Sequence, residues 1–311
     1  MENNLVVQSN KLILAAYTMT TKEKQLFLTC VSQIDSRPEA LMITKQKKFS
    51  VTTKDIQRIF YKDTNKGNVY RDLEQASNSL YDRDIIIPLE GNKTLRTRFI
   101  SAILYDPDDG KVTITFAQDI IPYLVQLKAN FTKYRLIEIS ELTSIHSIRL
   151  YELVICWLGQ FQYSKKMPLD DFRYIMGVSG KYKQFASLKE RVIEVAVNEI
   201  NKNTDYKVDV EYHRRGKGKG IKELTLSFHK KTLSILVDKK SGKLSQATIE
   251  SIVNSHQFMN DYNDHPSLTH EGKMNVKDFR QEMVNIIQLQ PETFNRAGKE
   301  LRSYLPKIKQ S

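Results

Sequence analysis

The chain of 311 residues carries 48 Lys and Arg against 36 Asp and Glu, a net charge of +12 with a pI near 9.4. That balance favours a polyanionic partner such as nucleic acid, and 40% hydrophobic with 27% charged residues supplies apolar material for roughly two or three globular domains. No apolar run reaches the roughly 18 residues of a membrane span, and MENNLVVQSNKL lacks the basic start and apolar stretch of a secretory signal.

In chain order, TTKEKQLFLTCVSQI reads as a helix opened by a Thr cap. KKFSV is a short strand, and TTKDIQRIF a short helix capped by Thr52 or Thr53. After the turn KDTNKGN comes a longer helix, VYRDLEQASNSLYDRD. IIIPLEG, TLRTRFISAILYD and KVTITF then read as strands, the last two joined by the turn DPDDG. In the second half, SIRLYELVICWLGQF is a helix, SKKMPL leads into DDFRYIMGV, and the turn SGK precedes the long helix YKQFASLKERVIEVAVNEINK. Cys30 and Cys156 both fall in apolar helical contexts, which suits reduced core thiols of a cytosolic protein.

A basic segment, YHRRGKGKGIKEL, follows between two alternating stretches. A phosphate-cradling P-loop would need Gly-Lys followed by Ser or Thr and the start of a helix. Here Gly216, Gly218 and Gly220 alternate with other residues, no Ser or Thr follows, and Ile221, Leu224, Leu226 and Phe228 keep largely to strand periodicity. With YKVDVEY upstream, the segment reads as a β-hairpin whose tip carries Arg214, Arg215, Lys217, Lys219 and Lys222.

The two halves share one order of elements: helix, short strand, helix, turn, longer helix, hairpin. Phe60 corresponds to Met176 (176 − 60 = 116) and Tyr70 to Phe185 (185 − 70 = 115). The order is that of a winged helix-turn-helix, and its recurrence suggests duplication. The fold class expected is α+β: two tandem winged helices with a small helical C-terminal extension. In the second long helix Phe185, Leu188, Val192, Ala196 and Ile200 form the core stripe. The opposite side carries Lys183, Ser187, Glu190, Arg191 and Glu194, of which Lys183, Ser187, Glu190 and Arg191, with Lys181 on the turn before, are candidates to reach bases or phosphates. In the first unit Lys66, Asn68, Arg71 and Gln75 hold the matching, less basic surface.

FTKYRLIEISELTSIHSIRLYELV resembles the junction segment of iteron-binding plasmid replication initiators. So do NKLILAAYTMTTKEKQLFL, ISAILYDPDDGKVTITFAQDIIPYL and YKQFASLKERVIEVAVNEINKNTD with its basic hairpin, together spanning roughly residues 5 to 231. The resemblance implies sequence-specific binding of double-stranded DNA at repeated origin sites, without nicking and without a cofactor. It also implies dimers that repress the initiator's own gene or limit copy number, formed through the hairpin of residues 99 to 116. Phe99, Ile103, Thr113 and Thr115 are its candidate contacts. The expected divisions are residues 1–133, 134–231 and a linker with helical extension, 232–311, whose helices read near 245–260, 276–289 and 291–305. Two roles stay open for that tail: recruiting host replication proteins, such as a host initiator and replicative helicase, or passive stabilisation.

Catalytic patterns are missing. No two of the six histidines stand two residues apart, as the metal motif of a nicking initiator requires, and no Cys-x-x-Cys suggests zinc. Asp106, Asp108 and Asp109 fail the EF-hand spacing, since position 12 is Ala117. Two other readings stand beside a non-enzymatic initiator: a transcriptional repressor of the same fold, and a nicking or priming enzyme.

Overall fold

The computed structural model of the chain describes residues 4–34, 48–61, 69–125, 130–214, 220–231, 244, 246–262, 276–289, 294 and 301–304. They form two units, Met1–His229 and Lys230–Ser311.

The first unit opens with β1 (Leu5–Ser9), which pairs antiparallel with β7 (Phe131–Arg135) from Leu5↔Arg135 to Ser9↔Phe131. Sequence patterning leaves both strands out, because each is five residues long and their pairing is remote in the chain. Ser9 caps α1 (Asn10–Leu14), and α2 (Thr21–Val31) starts on a reciprocal box in which Thr20 and Glu23 bond each other's backbone. A second such box, Thr52 with Asp55, stands between β2 (Phe49–Thr52) and α3 (Thr53–Phe60). Then come α4 (Val69–Tyr81), the hairpin β3 (Asp84–Pro88) and β4 (Thr94–Arg98), and the hairpin β5 (Ile100–Asp106) and β6 (Lys111–Phe116).

The single strand expected over 94–106 is cut at Phe99. Its ring is fully buried and meets Tyr17 and Phe27 edge-on at 5.3 and 5.2 Å between centroids. The core contact outweighs strand continuity, and β4 pairs back onto β3 while β5 joins a sheet of order β2-β6-β5.

The second half repeats this plan with α5 (Ile145–Gly159), β8 (Ser164–Pro168) and α6 (Leu169–Ile175). Three consecutive helical stretches, Phe185–Leu188, Lys189–Glu194 and Val195–Asn203, run on as α7, followed by β9 (Tyr206–Arg214) and β10 (Ile221–Lys230). Its sheet is ordered β8-β10-β9. In both halves the strand after the first helix pairs with the last strand, and the last with the middle one; each half is a winged helix. The extra β3–β4 hairpin belongs to the first half alone.

One apolar core runs through both winged helices, and a buried polar cluster lies inside it. Lys24 of α2 and Glu152 of α5 are 1% and 0% exposed, with Nζ 2.8 Å from Oε2. The other carboxylate oxygen of Glu152 accepts from Gln8 Nε2 of β1 at 2.9 Å and from the Tyr134 hydroxyl of β7 at 2.7 Å. Lys24 also donates to the Tyr17 hydroxyl at 2.8 Å, which accepts from Arg149 Nη1 at 2.8 Å. Arg149 completes its bonding on the backbone, to Ala15 O at 2.6 Å and Ile175 O at 2.8 Å. Burial by itself lifts the Glu152 carboxyl, but Lys24, Arg149 and its hydrogen bonds outweigh that and hold it below the ordinary glutamate range.

The second unit has its own core. α8 (Gln246–Val253), α9 (His256–Tyr262) and α10 (Val276–Leu289) gather Ile252, Phe258, Met283 and Ile287 around Phe294 and Tyr304. Tyr262 donates to Phe294 O at 2.6 Å and Tyr304 to Asp261 at 2.8 Å. Of the helix expected at 291–305, residues 301–304 form a 3-10 turn and most of the rest lies outside the described residues. Among the described residues no helix is long and apolar enough to cross a membrane.

Two measurements check this packing. Gly177 has φ +67°, and a Cβ there would stand 2.1 Å from Tyr17 O, whereas Gly180, with φ +75°, faces open space. Gly180→Ala should cost about 1–2 kcal/mol from backbone strain alone; Gly177→Ala, which also forces backbone apart, should cost clearly more by urea unfolding. For Glu152, whose folded carboxyl holds its proton less tightly than an unfolded one, the stabilisation is complete above about pH 4.3. It drains as pH falls below that range and through the folded value. Glu152→Gln should therefore cost roughly 3–5 kcal/mol near neutrality, and its deficit against the parent chain should shrink as the urea series moves to acid pH.

Candidate nucleic-acid interface

α6 and α7 are joined by a turn in which Gly177, Gly180 and Tyr182 all take positive φ (+67°, +75° and +50°). Only glycine adopts that region freely, so Tyr182 is held there by its surroundings. Its ring packs edge-on against His146, 6.2 Å between centroids. Arg173 of α6 ties the turn shut, donating from Nη1 to Lys181 O at 2.6 Å and from Nη2 to Lys183 O at 3.4 Å. The helix expected from Tyr182 thus begins at Phe185, and Lys181 and Lys183 stand exposed on the turn before it. Burial, and after it Lys181, push the His146 imidazole below its ordinary range, so it is neutral at pH 7.

The middle of α7 is a π-helical turn, Lys189–Glu194. Its cause is legible in the apolar spacing. Leu188, Val192, Ala196 and Ile200 are all fully buried and all four apart. On a regular α-helix, four residues overshoot one turn by roughly 40°, so the stripe would drift by about 120° over three steps. The wider π turn takes in extra residues and winds that drift back, keeping the stripe on the core.

The exposed side of α7 carries Glu190 and Arg191, with Ser187 half-buried nearer its start. Lys189 is turned toward the wing: its Nζ lies 5.8 Å from the Tyr212 ring centre of β9 and 3.3 Å from Glu194. Phe185 meets the same Tyr212 edge-on at 5.1 Å, fixing the helix against the hairpin. Arg214 is exposed at the end of β9 and Lys222 at the start of β10. Leu169, Asp170, Arg173, Lys181, Lys183 and Lys222 line a cleft of about 350 Å³ between helix start, turn and wing. Arg215, Lys217 and Lys219 lie outside the described residues.

The corresponding surface of the first winged helix is different. Arg71 and Gln75 are exposed on α4, while Lys66 and Asn68 lie outside the described residues. The tip of its wing is acidic, with exposed Asp108 and Asp109 and half-buried Asp106. Lys111 ties Asp106 and Asp109 at 2.9 and 2.8 Å, which with the turn's own bonds lowers the Asp106 carboxyl below its usual range.

The candidate dimer residues are not equally available. Phe99 is sealed in the core, and Thr113, 8% exposed, faces Ser50 with its hydroxyl 2.8 Å from that residue's. Both are corrected as surface contacts, because each spends its side chain inside its own winged helix. Ile103 and Thr115 are half-buried, and Leu104, 60% exposed on the outer strand β5, is the residue the patterning missed. Its register opposite Thr113 could have pointed to it. No cluster of three or more His, Cys, Asp or Glu gathers at metal-binding distance among the described residues.

Residues 5–155 match the family described as Initiator Replication protein, WH1, and residues 168–228 match Initiator Rep protein, WH2. An Escherichia coli replication initiation protein is 26% identical over 223 residues, covering 70% of this chain and 67% of its own. A second Escherichia coli protein, an uncharacterized one of 27.6 kDa, is 27% identical over 212 residues, covering 64% of this chain and 85% of its own. The crystal structure of Pi initiator protein in complex with iteron DNA aligns with a TM-score of 0.60 at 20% identity, covering 73% of this chain and 98% of that one. That likeness is one of fold.

Proposed function

The chain belongs to the initiator replication protein family, and we propose that it starts replication of a plasmid by binding direct repeats at its origin, in the cytoplasm, without cutting a strand. The observation that carries this reading is the cleft of the second winged helix, which Lys181, Lys183 and Lys222 line together, with Arg191 exposed on α7 and Arg214 exposed at the end of β9. In it α7 enters the major groove, where Ser187, Glu190 and Arg191 meet base edges, and Lys189 braces the wing. The cations of the turn and wing, Arg215, Lys217 and Lys219 included, neutralise phosphates. The first winged helix reads a second stretch of the repeat through α4, with Lys66, Asn68, Arg71 and Gln75, because its aspartate-tipped wing carries the sign of the phosphates. Residues 232–311 are left for contacts with host replication proteins.

Phosphate contacts position and base contacts specify, so the two surfaces fail differently. Replacing Arg214, Arg215, Lys217 and Lys219 by Ala should weaken repeat and scrambled duplexes alike and lower the salt slope by up to about one unit per lost contact. Replacing Arg191 should cost about 1–3 kcal/mol, mainly on the repeat. Titrations across a salt series separate the two, and the duplex should be recovered uncut with no label on the protein. An unchanged affinity and slope in the quadruple variant would remove the wing from the interface.

Dimers are proposed to form by pairing of β5 edges, with Leu104 at their centre and Ile103 and Thr115 beside it. Leu104→Glu should shift sedimentation toward monomer at every concentration, while repeat affinity of the monomer stays the same.

A further inference from the structure

α7 carries one residue more than its core contacts require. Leu188, Val192, Ile193, Ala196 and Ile200 are all fully buried, and the last four stand 4, 5, 8 and 12 residues after Leu188. Twelve residues of a regular α-helix end about 120° away from the starting face. With one residue fewer between Leu188 and Val192, each offset drops by one to 3, 4, 7 and 11. That is the ordinary apolar stripe of an α-helix, and its last member returns to within about 20° of the first. The π turn Lys189–Glu194 absorbs the one surplus residue.

The surplus falls on the outer side of the helix. Only Lys189, Glu190 and Arg191 separate Leu188 from Val192; the first is half-buried and the other two are exposed. Three side chains therefore share an arc that two would span on an α-helix. Lys189 takes the flank toward the wing, its Nζ 5.8 Å from the Tyr212 ring centre and 3.3 Å from Glu194 Oε1. Residues five apart are not neighbours on an α-helix, so the wide turn is what brings this ion pair together. Phe185, edge-on against the same Tyr212, holds the start of the helix to the wing. Glu190 and Arg191 are left facing away from both core and wing.

Stability does not account for the extra residue. The core stripe would be regular without it, and an ion pair between half-exposed side chains adds little. π turns are rare, and those inside α-helices recur at functional sites.

We propose that the surplus residue sets base specificity: the π turn lets α7 aim two side chains, Glu190 and Arg191, at base edges while Lys189 is kept for the wing. This rests on the reading of α7 as the helix that enters the major groove. Glutamate accepts from cytosine N4 and arginine pairs bidentately with guanine, so the two outward residues read one base pair more than a single one would. Deleting Glu190 leaves Lys189 and Arg191 alone on the arc, and swings Arg191 from its flank to the crest that Glu190 held. Lys189 and Tyr212 are positioning residues that touch no base.

The probe is a duplex selected by the parent chain from a random-sequence pool, together with duplexes in which each of its base pairs is changed in turn. The proteins compared are the parent, a chain with Glu190 deleted, Glu190→Ala and Arg191→Ala. The deletion restores the regular stripe, so its thermal midpoint by circular dichroism should equal or exceed that of the parent. It should lose about tenfold or more on the selected duplex, and keep its affinity for scrambled duplex within about threefold, since phosphate contacts are untouched. Its preference should change both at the base pair that Glu190→Ala flattens and at the one that Arg191→Ala flattens. Glu190→Ala keeps the turn and should leave the Arg191 position as it is in the parent. A deletion variant that matches Glu190→Ala at every base pair would overturn the proposal. So would a deletion variant that does not fold, because the core would then need the residue. If the pool yields no preferred duplex, or neither alanine variant alters any position, the reading of α7 as the groove helix fails and the proposal with it.

Discussion

A carboxylate shut away from water constrains everything around it. Glu152 is fully buried, and an isolated charge in such a place would cost many kcal/mol. It is tolerable only because Lys24, Gln8 and Tyr134 reach it from three separate elements, with Arg149 one turn away on the same helix. Since removing one partner of such a pair leaves the other uncompensated, β1, α2, α5 and β7 each stabilise the placement of the others. Two winged helices that could have been beads on a string become one body.

The same supersecondary unit has been turned to unlike ends in its two copies. Strand order and helix order agree, yet one wing ends in aspartates and the other in arginines and lysines. Salt bridges at the exposed tips contribute little to stability, so charge there was free to follow the partner. The π turn of α7 belongs to the same division between core and surface: four-residue apolar spacing is kept for the core, and the backbone adjusts.

Much of this was legible in the chain itself. The apolar periodicities of Leu188 to Ile200 and of Val112 to Phe116, the Thr caps at 20 and 52, and the equal spacing of the two halves lead to the winged-helix plan, since each is a local signal. What escaped was remote or isolated. β1 and β7 are defined only by each other, and Phe99 looked like a strand residue until the core claimed it. Lys24, Arg149 and Glu152 carry no sign of burial in the sequence, because periodicity along one helix cannot say that elements remote in the chain cover its charged residues. The positive φ of Tyr182 had no residue signal at all.

The most direct measurement of the central claim is the distance between α4 and α7 in solution. Cys30 and Cys156 are buried, so spin labels placed by Ser79→Cys and Lys202→Cys, both at exposed positions, would be the labels that react. Double electron–electron resonance should give one narrow distance distribution that is the same free and bound to a repeat. A broad or two-peaked distribution in the free protein, or a clear shift on binding, would mean that the winged helices move independently and that the buried cluster does not fix their spacing.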